Sequence, residues 1–294
     1  MSSSAHDGVL NSSPERLTGI RRSFLVFVRG LLVRLIEAKV HGSGLLALTY
    51  SKLFLPRRKT IVPLQSGAAM VVDFRNKHEV WMSFGLFAPT LQATIDRILR
   101  PGDTFIDGGA NVGYFSFYGA GCVGERGRVI AIEANPSCGE RLRESQATSG
   151  NNNVTILNIA LGQQTGTLSF NVATDPMYSS IVDLPSLGFC SHLSQLQVPV
   201  QTLDGVLETE CKGVDRIRML KLDIEGSELF ALRGSEQSLR SQRFDYIYIE
   251  THQAQLKLLG QDEQDVYDLL AANGYRLEEK AFGMCLYASS SVAS

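Results

Sequence analysis

The sequence has few cysteines, the residues whose disulfide bonds stabilise small extracellular proteins, and it has no strong net charge. Its 294 residues include five cysteines and one tryptophan, and no two cysteines are spaced as Cys-x-x-Cys. An odd number of dispersed cysteines excludes a disulfide framework and the usual zinc-ligand patterns. The net charge of −2 gives no overall attraction to nucleic acid. We therefore expect a cytoplasmic protein without a nucleic-acid partner.

Long hydrophobic runs are also missing. The most apolar stretch, residues 24–36, is interrupted by Arg29 and Arg34. It is therefore a poor candidate for a membrane span, which needs about 20 apolar residues, and for a secretory signal. The composition, 44% hydrophobic and 20% charged, is ordinary for a globular protein. The length fits one large domain with a small addition.

Positive charge is concentrated at the start of the chain, where residues 1–60 contain ten lysines and arginines against three acids. Such a segment indicates either an acidic partner or a solvated helix face. Residues 1–19 are rich in Ser, which predicts a disordered leader. The composition of residues 20–75 predicts a basic helical extension, and residues 76–294 form the remaining domain. The extension either lies on an anionic membrane or packs as a cap on that domain.

From residue 104 the pattern changes to alternating strands and helices. Strands are predicted over residues 104–106, 128–133, 154–158, 219–223, 246–250, 275–277 and 284–288, and helices over 114–120, 136–149, 228–232 and 262–273. This alternation predicts right-handed crossovers and a largely parallel sheet, with ligands beyond the carboxyl ends of its strands. Residues 163–201 break the rhythm, and we predict an insertion over that edge, near the acceptor site.

A glycine-rich turn after the first of these strands carries the functional argument. Residues 105–113 read Phe-Ile-Asp-Gly-Gly-Ala-Asn-Val-Gly. Glycines let the backbone turn sharply and approach a ligand closely. The pattern is not the dinucleotide fingerprint Gly-x-Gly-x-x-Gly, and the leading Asp107 would repel a phosphate at the helix N-terminus. The same carboxylate would attract the amino group of a methionine moiety.

The next strand ends in a second carboxylate, Glu133. A carboxylate at that place can accept hydrogen bonds from both hydroxyls of a ribose. Taken singly, Asp107 could be a helix cap and Glu133 an exposed loop acid. Together they predict S-adenosylmethionine as the ligand, since it joins a ribose to a cationic amino acid.

Two later strands also end in acids. Residues 220–228 supply Asp223, Glu225 and Glu228, and residues 247–252 supply Glu250 and His252. A loop with only a structural role is not expected to carry several charged residues at the functional edge of a sheet. A lone histidine is usually a surface residue, but its place beside Glu250 favours a functional role.

These motifs resemble the FkbM-type methyltransferase family over residues 79–250. The resemblance is carried by residues 102–113, 129–136, 160–162, 202–204 and 220–228. It implies the Rossmann-like class I methyltransferase fold, an α/β fold with a mostly parallel seven-stranded sheet and helices on both faces. It also implies O-methylation, by S-adenosyl-L-methionine, of a small-molecule, sugar or glycolipid hydroxyl. Ala134 departs from the family, which usually has Pro at that position.

Two other functions are left open by the sequence. A nicotinamide- or flavin-dependent oxidoreductase would use a similar sheet, although the phosphate fingerprint is missing. A catalytically inactive, methyltransferase-like scaffold at a membrane would not need the acids at the strand ends. Both alternatives therefore rank below the methyltransferase.

The residues predicted to form the site fall into two groups. Cofactor binding is assigned to Asp107, Gly109, Asn111, Gly113, Glu133, Asn135, Ala160 and Asp223, and catalysis to His252, Asp223, Glu250 and Glu225. A hydroxyl has a high pKa and needs a general base or a metal. We expect His252 to be the base, since its reference pKa is about 6.5. The alternative is a divalent cation on Asp223, Glu250 and His252, which the imidazole disfavours for magnesium, so we assign no metal.

Overall fold

The computed structural model describes residues 14–17, 19–37, 42–173, 179–181, 192–281 and 283–292. The helices are α1 Gly19–Glu37, α2 Ser43–Phe54, α3 Lys77–Phe84, α4 Pro89–Ile98, α5 Tyr114–Val123, α6 Pro136–Ser149, α7 Leu203–Glu210, α8 Glu228–Arg233, α9 Glu236–Arg240, α10 Gln253–Leu258 and α11 Glu263–Ala272. The strands are β1 Glu15–Arg16, β2 Lys59–Pro63, β3 Ala69–Asp73, β4 Thr104–Gly108, β5 Arg128–Ile132, β6 Val154–Leu157, β7 Ala160–Leu161, β8 Gly166–Ala173, β9 His192–Gln201, β10 Ile217–Leu222, β11 Phe244–Glu250, β12 Tyr275–Ala281 and β13 Met284–Ser289.

A seven-stranded sheet in the order β12-β13-β11-β10-β4-β5-β6 forms the centre of the fold. Strand β13 runs antiparallel to both of its neighbours, and the other pairings are parallel. Side chains alternate between the two faces, so that Phe105 joins the core beneath α4 and α5 while Ile106 joins the core beneath α7, α8 and α11. The predicted fold class is confirmed.

The parallel register brings the functional segments to one edge. Because β4, β5, β10 and β11 run in the same direction, the residues that follow each strand lie at the same end of the sheet. Helix α6 has the predicted bounds. Helix α3 was not predicted, although the side chain of Asn76 caps its first turn by accepting from the backbone N–H groups of His78 and Glu79.

Part of the segment that was predicted as a disordered leader, residues 1–19, has regular structure. Residues 15–16 form a short strand parallel to β2, and the side chain of Leu17 is buried. Residues 1–13 and 18 of that predicted leader lie outside the described residues. Hairpin β2–β3 packs on α6, where Lys59 of β2 forms an ion pair with Glu144 at 2.7 Å. The partly helical extension is thus held against the sheet domain.

The predicted insertion, residues 163–201, supplies β8 and β9, which form a second sheet with β7 in the order β7-β9-β8. Residues 174–178 and 182–191 of this segment lie outside the described residues. Ser180 contacts the sheet domain directly, since its hydroxyl donates to the backbone carbonyl of Glu225 at 2.7 Å. This contact places part of the insertion over the carboxyl edge of the large sheet.

Candidate active site

A cavity lies at the carboxyl edge of the seven-stranded sheet. It is lined by residues from four strand ends, the insertion, and α3 with the loop that follows it: Met82, Phe87, Gly109–Phe115 except Gly113, Ile132, Glu133, Ala134, Ile159, Ala160, Leu161, Phe170, Ser179, Ile181, Lys221, Asp223, Ile224, Glu225 and Ser227. Mostly apolar walls with a few convergent polar groups are typical of a small-molecule site.

The turn after β4 depends on a close approach of two backbones. Gly109 has a φ of +77°, and a Cβ built there would lie 1.8 Å from the carbonyl oxygen of Asp223. No other residue fits this position, because the turn passes directly against the end of β10. Asn111 also adopts a left-handed φ of 51°, an uncommon conformation for a residue with a side chain.

Glu133 holds this turn and the start of α6 in place. Its Oε2 accepts from the backbone N–H of Asn111, and its Oε1 accepts from the backbone N–H of Asn135, both at 2.7 Å. The side chain lines the cavity although the residue is only 8% exposed. Burial raises the pKa of Glu133, and the two backbone donors oppose this shift. Each carboxylate oxygen keeps a lone pair for a ligand hydroxyl.

Asp107 lies beneath the cavity and does not line it. Its Oδ2 accepts from the hydroxyl of Ser116 at 2.5 Å, and its Oδ1 lies 3.0 Å from the ammonium of Lys221. Lys221 reaches the cavity and donates to the carbonyl of Gly109 at 3.1 Å. Burial would lower the pKa of Lys221, but Asp107 and Asp223 raise it, so the lysine is charged. Asp107 therefore acts on the turn through Lys221.

A cluster of four carboxylates surrounds the imidazole of His252. Its Nε2 lies 3.7 Å from Glu225, 3.8 Å from Glu250 and 4.0 Å from Asp223, and its Nδ1 lies 3.5 Å from Glu228. Glu228 is fully buried, and its Oε1 accepts from the backbone N–H groups of Ile224 and Gly226. Glu228 thus shapes the loop that presents Glu225 to the cavity.

The charges in this cluster set the protonation of its members. Burial would lower the pKa of His252, but its interactions with Glu228, Glu225 and Asp223 raise it to about 10. Burial raises the pKa of Glu225 to about 7, against the opposing effect of His252. The imidazole therefore carries a proton at neutral pH, while Glu225 is about half ionised.

Glu225 is also held in a strained conformation. Its φ of 53° lies in the left-handed region, and Gln255 donates to its Oε2 at 3.2 Å. A residue persists in this region only when its surroundings fix it, and such residues cluster at functional sites.

The same cluster offers a geometry for a cation. Ligand atoms of Asp223, Glu225 and His252 all lie within 4.8 Å of one another. This set has Glu225 where the sequence suggested Glu250. The geometry alone does not require a cation, and the assignment of no metal stays a prediction.

The structure brings the predicted site residues to one edge but at different depths. Six of them line the cavity: Gly109, Asn111, Glu133, Ala160, Asp223 and Glu225. The others, Asp107, Gly113, Asn135, Glu250 and His252, do not line it. Asn135 is a helix cap whose side chain accepts from the backbone N–H of Ser137.

Sequence reasoning missed several residues of the cavity. Lys221 was detectable as the one charged residue among the apolar residues 219–222 that end β10. Met82 and Phe87 carry no sequence signal, because they come from the N-terminal side of the motif region and reach the cavity only through packing.

Comparison with known proteins gives one family match. The family model for the methyltransferase FkbM domain matches residues 107–277, which is more than half of the chain. No curated protein is similar enough in sequence to match.

Several solved structures are similar to this chain at low sequence identity. Methyltransferase FkbM from Methylobacillus flagellatus KT is 17% identical with a TM-score of 0.43, and the match covers 72% of this chain and 54% of that one. A SAM-dependent methyltransferase from Aquifex aeolicus is 16% identical, with a TM-score of 0.39 and coverages of 69% and 89%. Aeropyrum pernix fibrillarin with natively bound S-adenosyl-L-methionine is 10% identical, with a TM-score of 0.37 and coverages of 68% and 74%. The chain spans about half the length of the first of these proteins.

Proposed function

The chain belongs to the FkbM methyltransferase family, whose cofactor is S-adenosylmethionine, and we propose that it methylates a hydroxyl group of a small-molecule, sugar or glycolipid acceptor. One observation carries the proposal. A single cavity joins Glu133, which suits a ribose, to Asp223 and Glu225, which suit an acceptor hydroxyl. The two requirements of methyl transfer, a cofactor seat and a proton acceptor, meet in one space.

The residues present fit the cofactor. Glu133 offers acceptor oxygens at the end of β5, and Ala160 and Ile132 give apolar walls beside it. The carboxylates of the cavity exceed its one buried lysine, so the site favours a cationic ligand over a pyrophosphate. This charge balance also counts against the oxidoreductase alternative.

The chain has little covalent chemistry of its own to perform. When bound, S-adenosylmethionine supplies a methyl group activated by a sulfonium and leaves as a neutral thioether. The protein aligns the acceptor oxygen with that methyl group and removes the hydroxyl proton as the oxygen–carbon bond forms.

Within the predicted catalytic set, we propose Glu225 as the base. It lines the cavity, whereas His252 does not line it and holds a proton at neutral pH. A protonated imidazole cannot accept a proton. We therefore propose that His252, which the sequence suggested as the base, instead stabilises the Glu225 carboxylate through its positive charge. Asp223 orients the acceptor, and Glu250 contributes to the charge of the cluster.

The acidic cluster also bears on the class of acceptor. Asp223 and Glu225 would repel the phosphates of a nucleic acid, since polyanions are bound through neutralising lysines and arginines. We therefore propose a neutral hydroxyl acceptor and no nucleic-acid partner. The cytoplasm is the proposed location, because Cys122, Cys138, Cys211 and Cys285 are free thiols.

The test is incubation of the protein with methyl-labelled S-adenosylmethionine and extracts of the source cells, followed by mass spectrometry of the labelled products. We expect label in an O-methyl ether, and a loss of labelling in the Glu225→Gln variant. Calorimetry with S-adenosylmethionine and with NAD separates the methyltransferase from the oxidoreductase. Cofactor binding without any labelled product would favour the inactive scaffold.

A further inference from the structure

Helix α1 has apolar side chains on two opposite faces. One face is anchored: Leu25 and Leu32 are buried, and between them Arg29 donates to the backbone carbonyls of Ser83 and Pro63. The opposite face carries an exposed stripe spaced four, three and four residues apart: Ile20 (87% exposed), Phe24 (46%), Phe27 (66%) and Leu31 (51%). Because Arg29 fixes the inner face, the outer stripe cannot rotate into the protein.

Helix α2 extends this stripe into one patch. Leu45, Leu46, Leu53 and Phe54 are each more than half exposed. Stacked or tilted rings connect the helices, with centroid distances of 6.1 Å for Phe27–Phe24, 5.7 Å for Phe24–Tyr50 and 5.2 Å for Tyr50–Phe54. We call the eight exposed residues Ile20, Phe24, Phe27, Leu31, Leu45, Leu46, Leu53 and Phe54 the apolar patch. Monomeric proteins rarely leave such a large apolar surface in water without a binding function.

The charges around the apolar patch are of one sign. Arg21, Arg34 and Lys52 are exposed on the same two helices, and none has an ion-pair partner among the described residues. Helix α2 contains no acid, and α1 has only Glu37, at its end. An apolar surface with unpaired basic groups beside it matches an acyl layer beneath anionic headgroups.

We propose that the apolar patch binds the surface of an anionic lipid membrane, with α1 and α2 lying in the interface. The large side chains enter the acyl boundary, and the arginines and lysine meet lipid phosphates. Among the described helices, none combines the length and the apolar character that a membrane crossing requires. A symmetric contact between two copies of the chain is less favourable, since it would bring the same basic groups of both copies together.

The position of the patch also favours one of the proposed acceptors. Helix α3 connects the two sites, because Phe84 contacts Tyr50 with a centroid distance of 5.8 Å while Met82 lines the cavity. A membrane-bound enzyme would thus present its cavity close to the lipid surface, which favours a lipid-linked acceptor. This last step rests on the proposed function, whereas membrane binding does not.

The test is flotation of the full chain with vesicles of phosphatidylcholine, with and without phosphatidylserine, at low and high salt. We expect binding that requires phosphatidylserine and weakens with salt. Phe27→Glu and Leu53→Glu should each weaken binding about tenfold or more, since burial of one large apolar side chain is worth about that factor. Arg21→Gln with Arg34→Gln should weaken binding to the anionic vesicles and reduce its dependence on salt.

Leu277→Glu is the matched control, because Leu277 is 43% exposed on β12, outside the patch. Its binding should equal that of the wild type. Calorimetry with S-adenosylmethionine confirms that each variant is folded. The proposal is overturned if the wild type does not float with phosphatidylserine vesicles at low salt. It is also overturned if Phe27→Glu leaves flotation unchanged. A third contrary result would be a dimer in sedimentation velocity that Phe27→Glu dissociates, with neither the dimer nor the monomer binding vesicles.

Discussion

The ammonium of Lys221 lies 3.0 Å from Oδ1 of Asp107, and both side chains are at most 2% exposed. The two residues are register partners on the adjacent strands β10 and β4. Because Lys221 also donates to the carbonyl of Gly109, the pair connects the acidic turn of β4 to the catalytic end of β10.

Removing the lysine of this pair should destabilise the protein strongly. Lys221→Met leaves the buried carboxylate of Asp107 without its cation, which typically costs about 3–5 kcal/mol of unfolding free energy. The double variant Lys221→Met, Asp107→Asn should recover much of that loss. Urea unfolding measures both. Arg240→Met, which breaks an exposed pair with Glu236, is the control and should cost no more than about 1 kcal/mol.

Glu133→Ala should weaken cofactor binding. It removes an acceptor for the ribose and releases the N–H groups of Asn111 and Asn135. A lost hydrogen bond to a charged group is worth about 1.5–3 kcal/mol, so calorimetry should show about tenfold or weaker affinity for S-adenosylmethionine. Glu125→Ala, an exposed control, should bind normally. Unchanged affinity in a folded Glu133→Ala protein would remove Glu133 from the site.

Gly109→Ala should lower the free energy of unfolding by more than the cost of its left-handed backbone conformation alone. Gly109 and Gly150 both have positive φ, at +77° and +78°, but only at Gly109 would a Cβ meet a neighbouring atom within 4 Å. Both alanine variants carry the left-handed penalty of about 1–2 kcal/mol, and Gly109→Ala adds about 1–3 kcal/mol for overpacking. Thermal unfolding compares them. Equal losses would show that the contact with Asp223 relaxes freely.

The pH dependence of turnover distinguishes Glu225 from His252 as the base. Glu225, with its pKa of about 7, loses its proton as the pH rises through neutrality, so kcat/KM for S-adenosylmethionine should rise there and then level off. A His252 base would keep the rate rising toward pH 10.

Variants at these two positions provide the control for this pH profile. His252→Gln removes the positive charge that lowers the pKa of Glu225, so the rise should move to higher pH. Glu225→Gln should abolish the rise and reduce kcat by about 10²–10⁴-fold. A profile that does not change in Glu225→Gln would return the assignment to His252.

Chelation should leave the activity intact. The oxygen and nitrogen atoms of Asp223, Glu225 and His252 are close enough for a cation, but we propose Glu225 as the base and His252 as the positive charge that stabilises it. Turnover after exhaustive EDTA treatment and dialysis should equal that of the untreated enzyme. Loss of activity that magnesium or manganese restores would support the cation arrangement instead.

Local patterns were sufficient to predict the large sheet. Strand β5 is apolar after its first residue, and helix α6 begins at an Asn-Pro cap and ends before a glycine, so both could be located from neighbouring residues alone. The acids at the strand ends were also visible, because parallel strands with helical crossovers bring their carboxyl ends to one edge. Short strand β1 was missed, since its two residues gain their pairing only from β2.

Periodicity and turn residues act over a few positions, so local patterns were enough to predict the fold class, the acidic edge and the residues available for chemistry. Packing between distant segments is what pairs Asp107 with Lys221, surrounds His252 with four carboxylates and leaves the outer face of α1 exposed. The burial, charge state and exposure of a side chain depend on which distant segments pack together. The free energy of a buried charge depends on neighbours that the local sequence does not specify.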